Sequence, residues 1–182
     1  FLCTWPHGAG GDTRDVSASL KVYLAEPGKD VATTRPAGLP RPLRLLLSYH
    51  YYKDQDLDAL LSGFADLGVE LDVFADSGAW SAWSVGEPVD AAAYVAWVQK
   101  WKHRFSAVSG PDVIGDAKAT TEATEKMMAQ VSGVPVLPVF HVGEDWSWLE
   151  RWAAVPEVTY LAFGGMVPYT RRKRLLAGWL DG

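Results

Sequence analysis

"VELDVFADSGAW", Val69–Trp80, is the stretch on which the reading of this chain turns. An apolar run ends on Asp76, a Ser-Gly turn follows, and Trp80 comes next, with Trp83 just beyond. A carboxylate at the end of a buried strand is costly unless it is hydrogen-bonded. Asp76 therefore serves an Asx-turn or a cap, or it faces a ligand. The choice depends on what the other strands do at the same end.

Working outward, "LRLLLSYHYY" (Leu43–Tyr52) is a near-continuous apolar run, the pattern of a strand buried on both faces. "DQDLDALLSGFADLG" follows with Leu57, Leu60, Leu61, Phe64 and Leu67 at helical spacing, and Asp54 or Asp56 can cap it. After the opening stretch come a helix over "VDAAAYVAWVQKWKHRF" capped by Asp90, a strand "PDVIGDA" and a helix "TTEATEKMMAQVSG". A strand "VPVLPVFH", a helix "EDWSWLERWAAV", a strand "VTYLAFGG" and a basic helix "YTRRKRLLAGWL" complete the order. With "KVYLA" (Lys21–Ala25), this makes about six strands alternating with helices, which implies a parallel sheet covered by helices. Residues 1–20 are rich in Gly, Ser and Asp and read as an extension or loop; residues 21–182 read as a single domain.

Right-handed crossovers leave a doubly wound open sheet or a (β/α)8 barrel. Polar residues end consecutive strands: Ser48 and His50, Asp76 and Ser77, Asp116, His141, then Gly164 and Gly165. A barrel gathers such ends around one mouth. No Gly-rich phosphate fingerprint follows the first strand, which counts against a nucleotide-binding open sheet. The expected fold is therefore α/β of the (β/α)8 TIM-barrel type. About six β-α units are visible where a complete barrel uses eight.

Composition bounds the function. The 182 residues suffice for one domain, and 48% hydrophobic against 21% charged residues indicates a globular chain. A net charge of −5 argues against non-specific coating of nucleic acid. Cys3 is the single cysteine, so neither an intrachain disulfide nor a Cys-cluster zinc site can form. A reducing, cytoplasmic compartment is expected. No apolar stretch is long enough to span a bilayer, and the first residues lack a signal-peptide core. Phe1 stands where an initiator Met would, which points to preceding residues or an irregular leader.

Each strand-end residue has a structural and a chemical reading. Asp116 could cap the following helix or pair with Lys118, although Thr120 or Thr121 could cap that helix instead. His141 could be a satisfied turn residue. The Gly164–Gly165 pair could be a tight turn, or it could clear space for a flat ligand. Asp76, Asp116 and His141 together could hold a divalent metal. "TRRKR" (Thr170–Arg174) is a solvated helix face or a phosphate-contacting patch.

Taken in order, "FADSGAW", "IGDA", "VFHVGED" and "LAFGGMV" resemble the tRNA-guanine transglycosylase superfamily. The likeness is greatest to the phage and bacterial homologues that place 7-deazaguanines in DNA, and it covers about Lys21 to Trp179. The family signature D-S-G-G-F or D-S-G-A-F stands here as Asp76-Ser77-Gly78-Ala79-Trp80. The resemblance implies a barrel that cuts the N-glycosidic bond of guanine in DNA or tRNA and installs a 7-deazaguanine. Asp76 would be the catalytic acid/base. Asp116 would read the base's edge, and His141 falls where relatives carry a Gln that contacts the base. Ser77, Gly78, Trp80, Gly164, Gly165 and Met166 would complete the base pocket. Arg171, Arg172, Lys173 and Arg174 would meet the nucleic-acid backbone.

The chemistry fits these assignments. A carboxylate accepts two parallel N–H bonds from a guanine edge, and stacking adds about 1–3 kcal/mol per base. The base must leave its helix to enter such a pocket. Base exchange with retention also needs a carboxylate nucleophile. The resemblance puts it on a later strand, so a continuation of the chain, a second chain or a homo-oligomer is expected to supply it. No cofactor is expected for the chemistry, and the zinc site of the tRNA enzymes is not encoded here. Two other readings are a metal-dependent hydrolase and a base-binding protein without catalysis.

Overall fold

β3 (Leu43–Ser48) and β4 (Leu71–Asp76) pair in parallel along their whole length, Leu43 opposite Leu71 and Ser48 opposite Asp76. This pairing anchors the computed structural model, which describes residues 2–4, 23–25, 42–66, 68–166 and 173–180. β2 (Leu24–Ala25) lies outside β3, while β5 (Ala107–Ser109) and β6 (Val136–Leu137) follow β4 on the other side. All five strands are parallel and lie in chain order. The protein is thus mixed α/β with a parallel sheet.

Pro138 divides one extended segment into β6 and β7 (Val139–His141). Proline has no N–H to give to a ladder, so pairing changes hands there. Leu137 O accepts from Gly110 N at 2.7 Å on the β5 side, and Pro138 O accepts from Ala162 N at 2.9 Å on the other. β7 then pairs in parallel with β8 (Tyr160–Gly164), and β1 (Leu2–Thr4) lies antiparallel on β8's far edge. β1 thus falls inside the 1–20 stretch expected to be an extension or loop.

Parallel neighbours need crossovers, and from β3 onward helices supply them. α2 (Leu57–Asp66), α4 (Ala91–Trp101) and α5 (Ala117–Gln130) share one core with the sheet. Leu43, Leu45 and Leu47 of β3, Val73 and Ala75 of β4 and Val108 of β5 face Leu57, Leu61, Phe64, Val98, Trp101 and Met127. A fully buried leucine here contributes about 1.5–3 kcal/mol relative to exposure. The alternate residues of β3, Arg44 and Leu46, are only half-buried, so the strand is sealed on one face. α6 (Trp146–Ala153) has a smaller core of Trp152, Val158 and Leu161. α7 (Lys173–Leu180) brings Trp179 against Phe140 and Trp146 at 5.6 and 5.3 Å.

Aspartates start the helices. Asp56 accepts from Ala59 N at 3.0 Å, Asp90 from Ala92 N at 2.9 Å and Asp145 from Ser147 N at 2.9 Å. Each such cap contributes about 1 kcal/mol.

Two local expectations are corrected. The apolar run Leu43–Tyr52 is not all strand: the chain leaves the sheet after Ser48 and turns into the one-turn helix α1 (Tyr49–Tyr52). "PDVIGDA" is not a strand either. The strand is "AVS" before it, and the segment from Pro111 is a loop pinned by Thr120 Oγ1, which accepts from Val113 N at 2.9 Å. Pro111 cannot donate to a ladder, so pairing stops there.

At the amino ends of the strands, Asp72 collects the Tyr23 hydroxyl (3.0 Å), the Ser106 hydroxyl (2.5 Å) and Arg44 Nε (3.3 Å). Burial, reinforced by the Asp72 carboxylate, pushes the Tyr23 phenol up to about 12. Among the described residues no helix is long and apolar enough to cross a membrane.

Candidate functional site

At the carboxyl ends of the strands Asp76 closes β4, and its Oδ2 accepts from Gly78 N at 2.8 Å. Ser77 is fully buried, and its N–H donates to Ser109 Oγ at 3.0 Å. Gly78, with φ +71°, starts α3 (Ala79–Ser84). The Ser-Gly turn therefore ties β4 to β5 and re-aims the chain, and Ser77 offers no exposed surface to a ligand. α3 places Trp80 at the surface against Trp83, with ring centroids 5.3 Å apart.

The buried Tyr94 of α4 feels the charges of both neighbouring carboxylates. Its hydroxyl donates to Ser109 O at 2.9 Å. Burial drives its pKa well up, and the Asp76 and Asp112 charges add to the rise. Asp76 and Asp112 thus both act on one hydroxyl behind the sheet's carboxyl edge.

A pocket of about 420 Å³ opens beside Asp112, lined by Trp80, Asp112, Ile114, Gly115, Ala117, His141, Val142, Gly143, Glu144 and Gly165; Asp76, Ser77 and Gly78 are not among its lining residues. Its polar wall is a histidine between two carboxylates. His141 Nδ1 meets Glu144 Oε1 at 2.9 Å, and the other Glu144 oxygen accepts from His141 N at 3.0 Å. Nε2 lies 3.6 Å from Asp112 Oδ2, close enough for an ion pair but too long for a hydrogen bond. The side chains of His141, Asp112 and Glu144 are only 12%, 13% and 14% exposed. Burial opposes charge on the ring, but the two carboxylates outweigh it and raise its pKa to about 9. The imidazolium is therefore the neutral-pH form, with an N–H on both nitrogens.

That shift couples to stability. The folded pKa lies above the ordinary 6.5, so the stabilisation is full below pH 6.5 and is lost as pH rises through 9. Denaturant unfolding at pH 6 and pH 9.5 should differ by about 3 kcal/mol through this residue, read as wild type minus His141→Gln. Equal differences at the two pH values would contradict the charged ring.

The expected residues divide. Trp80, His141 and Gly165 line the pocket, and Gly164 backs the His141 ring. Met166 is half-buried just beyond. Asp116 does not join them. It is exposed, and its carboxylate accepts from Ala119 N at 2.9 Å as the cap of α5. The pocket carboxylate on this loop is Asp112, which the sequence pattern does not single out. Pro111 is the available signal: it ends strand pairing, so the next side chain stands at the mouth. Glu144 is a second pocket residue outside the expected set. With Asp116 on a helix cap, the Asp76–Asp116–His141 metal trio is not assembled. Among the described residues no group of three or more His, Cys, Asp or Glu is placed to hold a metal ion. Arg171 and Arg172 lie outside the described residues, as does the Lys173 side chain; Arg174 is exposed on α7.

No family model, no curated protein and no solved structure matches this chain.

Proposed function

We propose that this chain is a guanine-exchanging transglycosylase. It binds a guanine of nucleic acid in the Asp112–His141 pocket and replaces it with a 7-deazaguanine. One observation carries the reading: Asp112 and His141 both line the pocket, and Asp112 Oδ1 and His141 Nε2 are both buried without a hydrogen-bond partner. Buried polar atoms are normally satisfied. Here an acceptor stands beside a charged N–H donor, so the missing partner presents a donor next to an acceptor. The Watson–Crick edge of guanine, or of a 7-deazaguanine, presents N1–H beside the C6 carbonyl. Trp80 at the rim supplies a stacking surface, and Gly165 leaves room for a flat ring.

Asp76 is the proposed acid/base; it closes β4 at the same carboxyl edge of the sheet but is not among the residues that line the pocket. The N-glycosidic bond breaks, the sugar passes to a carboxylate nucleophile, and the departing base keeps the electron pair and takes a proton. The resemblance favours DNA over tRNA as substrate. The larger frame in this proposal is a (β/α)8 barrel, supported by strands lying in chain order and by α2, α4 and α5 sharing one face.

The test is calorimetric binding of 7-deazaguanine, paired with exchange of labelled guanine in single-stranded DNA. Asp112→Asn should weaken binding about 10- to 100-fold, the worth of a charged hydrogen bond. Asp76→Asn should abolish exchange and leave binding intact. No binding of the base by the wild-type chain overturns the proposal. Binding without exchange supports instead the reading as a base-binding protein.

A further inference from the structure

We propose that Glu144 is a positioning residue that holds His141 as a fixed Nε2–H donor, and that this selects a 6-oxo over a 6-amino purine edge. The inference rests on the guanine pocket proposed above and names what makes the pocket discriminate.

Glu144 grips its partner at two points. One oxygen takes the ring Nδ1–H at 2.9 Å and the other takes the His141 backbone N–H at 3.0 Å, so side chain and backbone are fixed together. On the far side the ring lies against Gly164, where a Cβ would come within 2.6 Å of Cδ2 and 2.8 Å of Nε2. The imidazole is thus clamped between Glu144 and glycine backbone. Its one nitrogen without a hydrogen bond is Nε2, and His141 is among the residues that line the pocket.

What that nitrogen offers depends on the ring's charge. Charged, both nitrogens donate. Neutral, with Nδ1–H kept on Glu144, Nε2 carries a bare lone pair and can only accept. A donor suits the C6 carbonyl of a guanine edge and rejects the amino group of a 6-aminopurine. A bare lone pair reverses the preference. Rejection of this kind is strong, because the wrong edge leaves buried polar groups unpaired. The charged groups facing the ring are Asp112 from the β5–α5 loop and Glu144 from the β7–α6 loop. β8 presents glycine backbone, and α3 presents Trp80. Glu144 is the closer of the two carboxylates, so it contributes both the charge and the orientation.

Glu144→Gln removes the charge and keeps the ring bond. Its single amide oxygen can still accept Nδ1–H, but the amide NH2 cannot accept the His141 backbone N–H, and the side chain no longer stabilises the cation. Calorimetric titrations of the whole chain with 7-deazaguanine and with 2,6-diaminopurine, at pH 6 and pH 8, read the outcome. Wild type should bind 7-deazaguanine equally at both values. Glu144→Gln should bind it about fivefold more weakly at pH 8 than at pH 6. The preference for 7-deazaguanine over 2,6-diaminopurine should fall about tenfold in the variant at pH 8. An equal loss at both pH values, with the preference unchanged, makes Glu144 merely structural and overturns the inference while the base pocket stands. Failure of the wild type to bind 7-deazaguanine overturns the pocket reading itself. A measurement on the wild type keeps the inference testable should the variant not fold. Imidazole nitrogen NMR at pH 7.5 should find both His141 nitrogens protonated, and a bare Nε2 would overturn it.

Discussion

Gly164→Ala should drive the His141 ring off the pocket wall and reduce 7-deazaguanine binding by at least about tenfold, with the fold retained. The added Cβ would stand 2.6 Å from the ring's Cδ2, 2.8 Å from Nε2 and 2.9 Å from Val139 Cγ1. A side chain usually rotates out of such a clash. This one is held by Glu144 through the ring and through its backbone N–H, so moving it breaks the Nδ1 bond. Overpacking of this kind costs about 1–3 kcal/mol. The diagnostic result is the pH dependence of stability. If the ring leaves both carboxylates, the loss of stability between pH 6.5 and pH 9 should largely disappear in the variant. Unchanged binding together with unchanged pH dependence would mean that the ring is not clamped.

Gly78→Ala should cost about 3 kcal/mol or more of folding stability, measured by denaturant unfolding. Two causes add. The residue sits at φ +71°, where a Cβ costs about 1–2 kcal/mol. That Cβ would also meet Ser48 Oγ, and it would lie 2.7 Å from His50 Cβ and 3.0 Å from His50 N. The serine hydroxyl can rotate away, but the other two atoms belong to or adjoin the backbone of α1. The glycine therefore lets the β4–α3 turn pass directly over the β3–α1 turn. The same passage positions Asp76, whose Oδ2 takes the Gly78 N–H. Full stability in Gly78→Ala would show that the two turns do not need to touch.

Much of the site's framework is legible in the amino-acid order. Asp76 ends a strand as its sequence suggests, and Asp90 caps the helix it precedes. His141 ends β7, and the glycine pair straddles the end of β8. These features depend on local periodicity and on turn chemistry, which a chain carries within a few residues. Asp116 departs from its expected place for an instructive reason. "PDVIGDA" is apolar enough for a strand, but Pro111 and the Thr120 side chain hold it as a loop. Once the strand is moved back to Ala107–Ser109, the aspartate beside the mouth is Asp112, and Asp116 is left to start α5.

Alternation, caps and turn residues in the amino-acid order settle the β-α succession and the polar character of its strand ends, because these are short-range effects. Folding decided which polar ends meet. Glu144 and His141 are three residues apart, but Asp112 reaches the same ring from another strand's loop, and Gly164 backs it from the neighbouring strand. The charge on His141 comes from that convergence. Burial alone would have left the ring neutral, and only two carboxylates brought together by the sheet make it a cation.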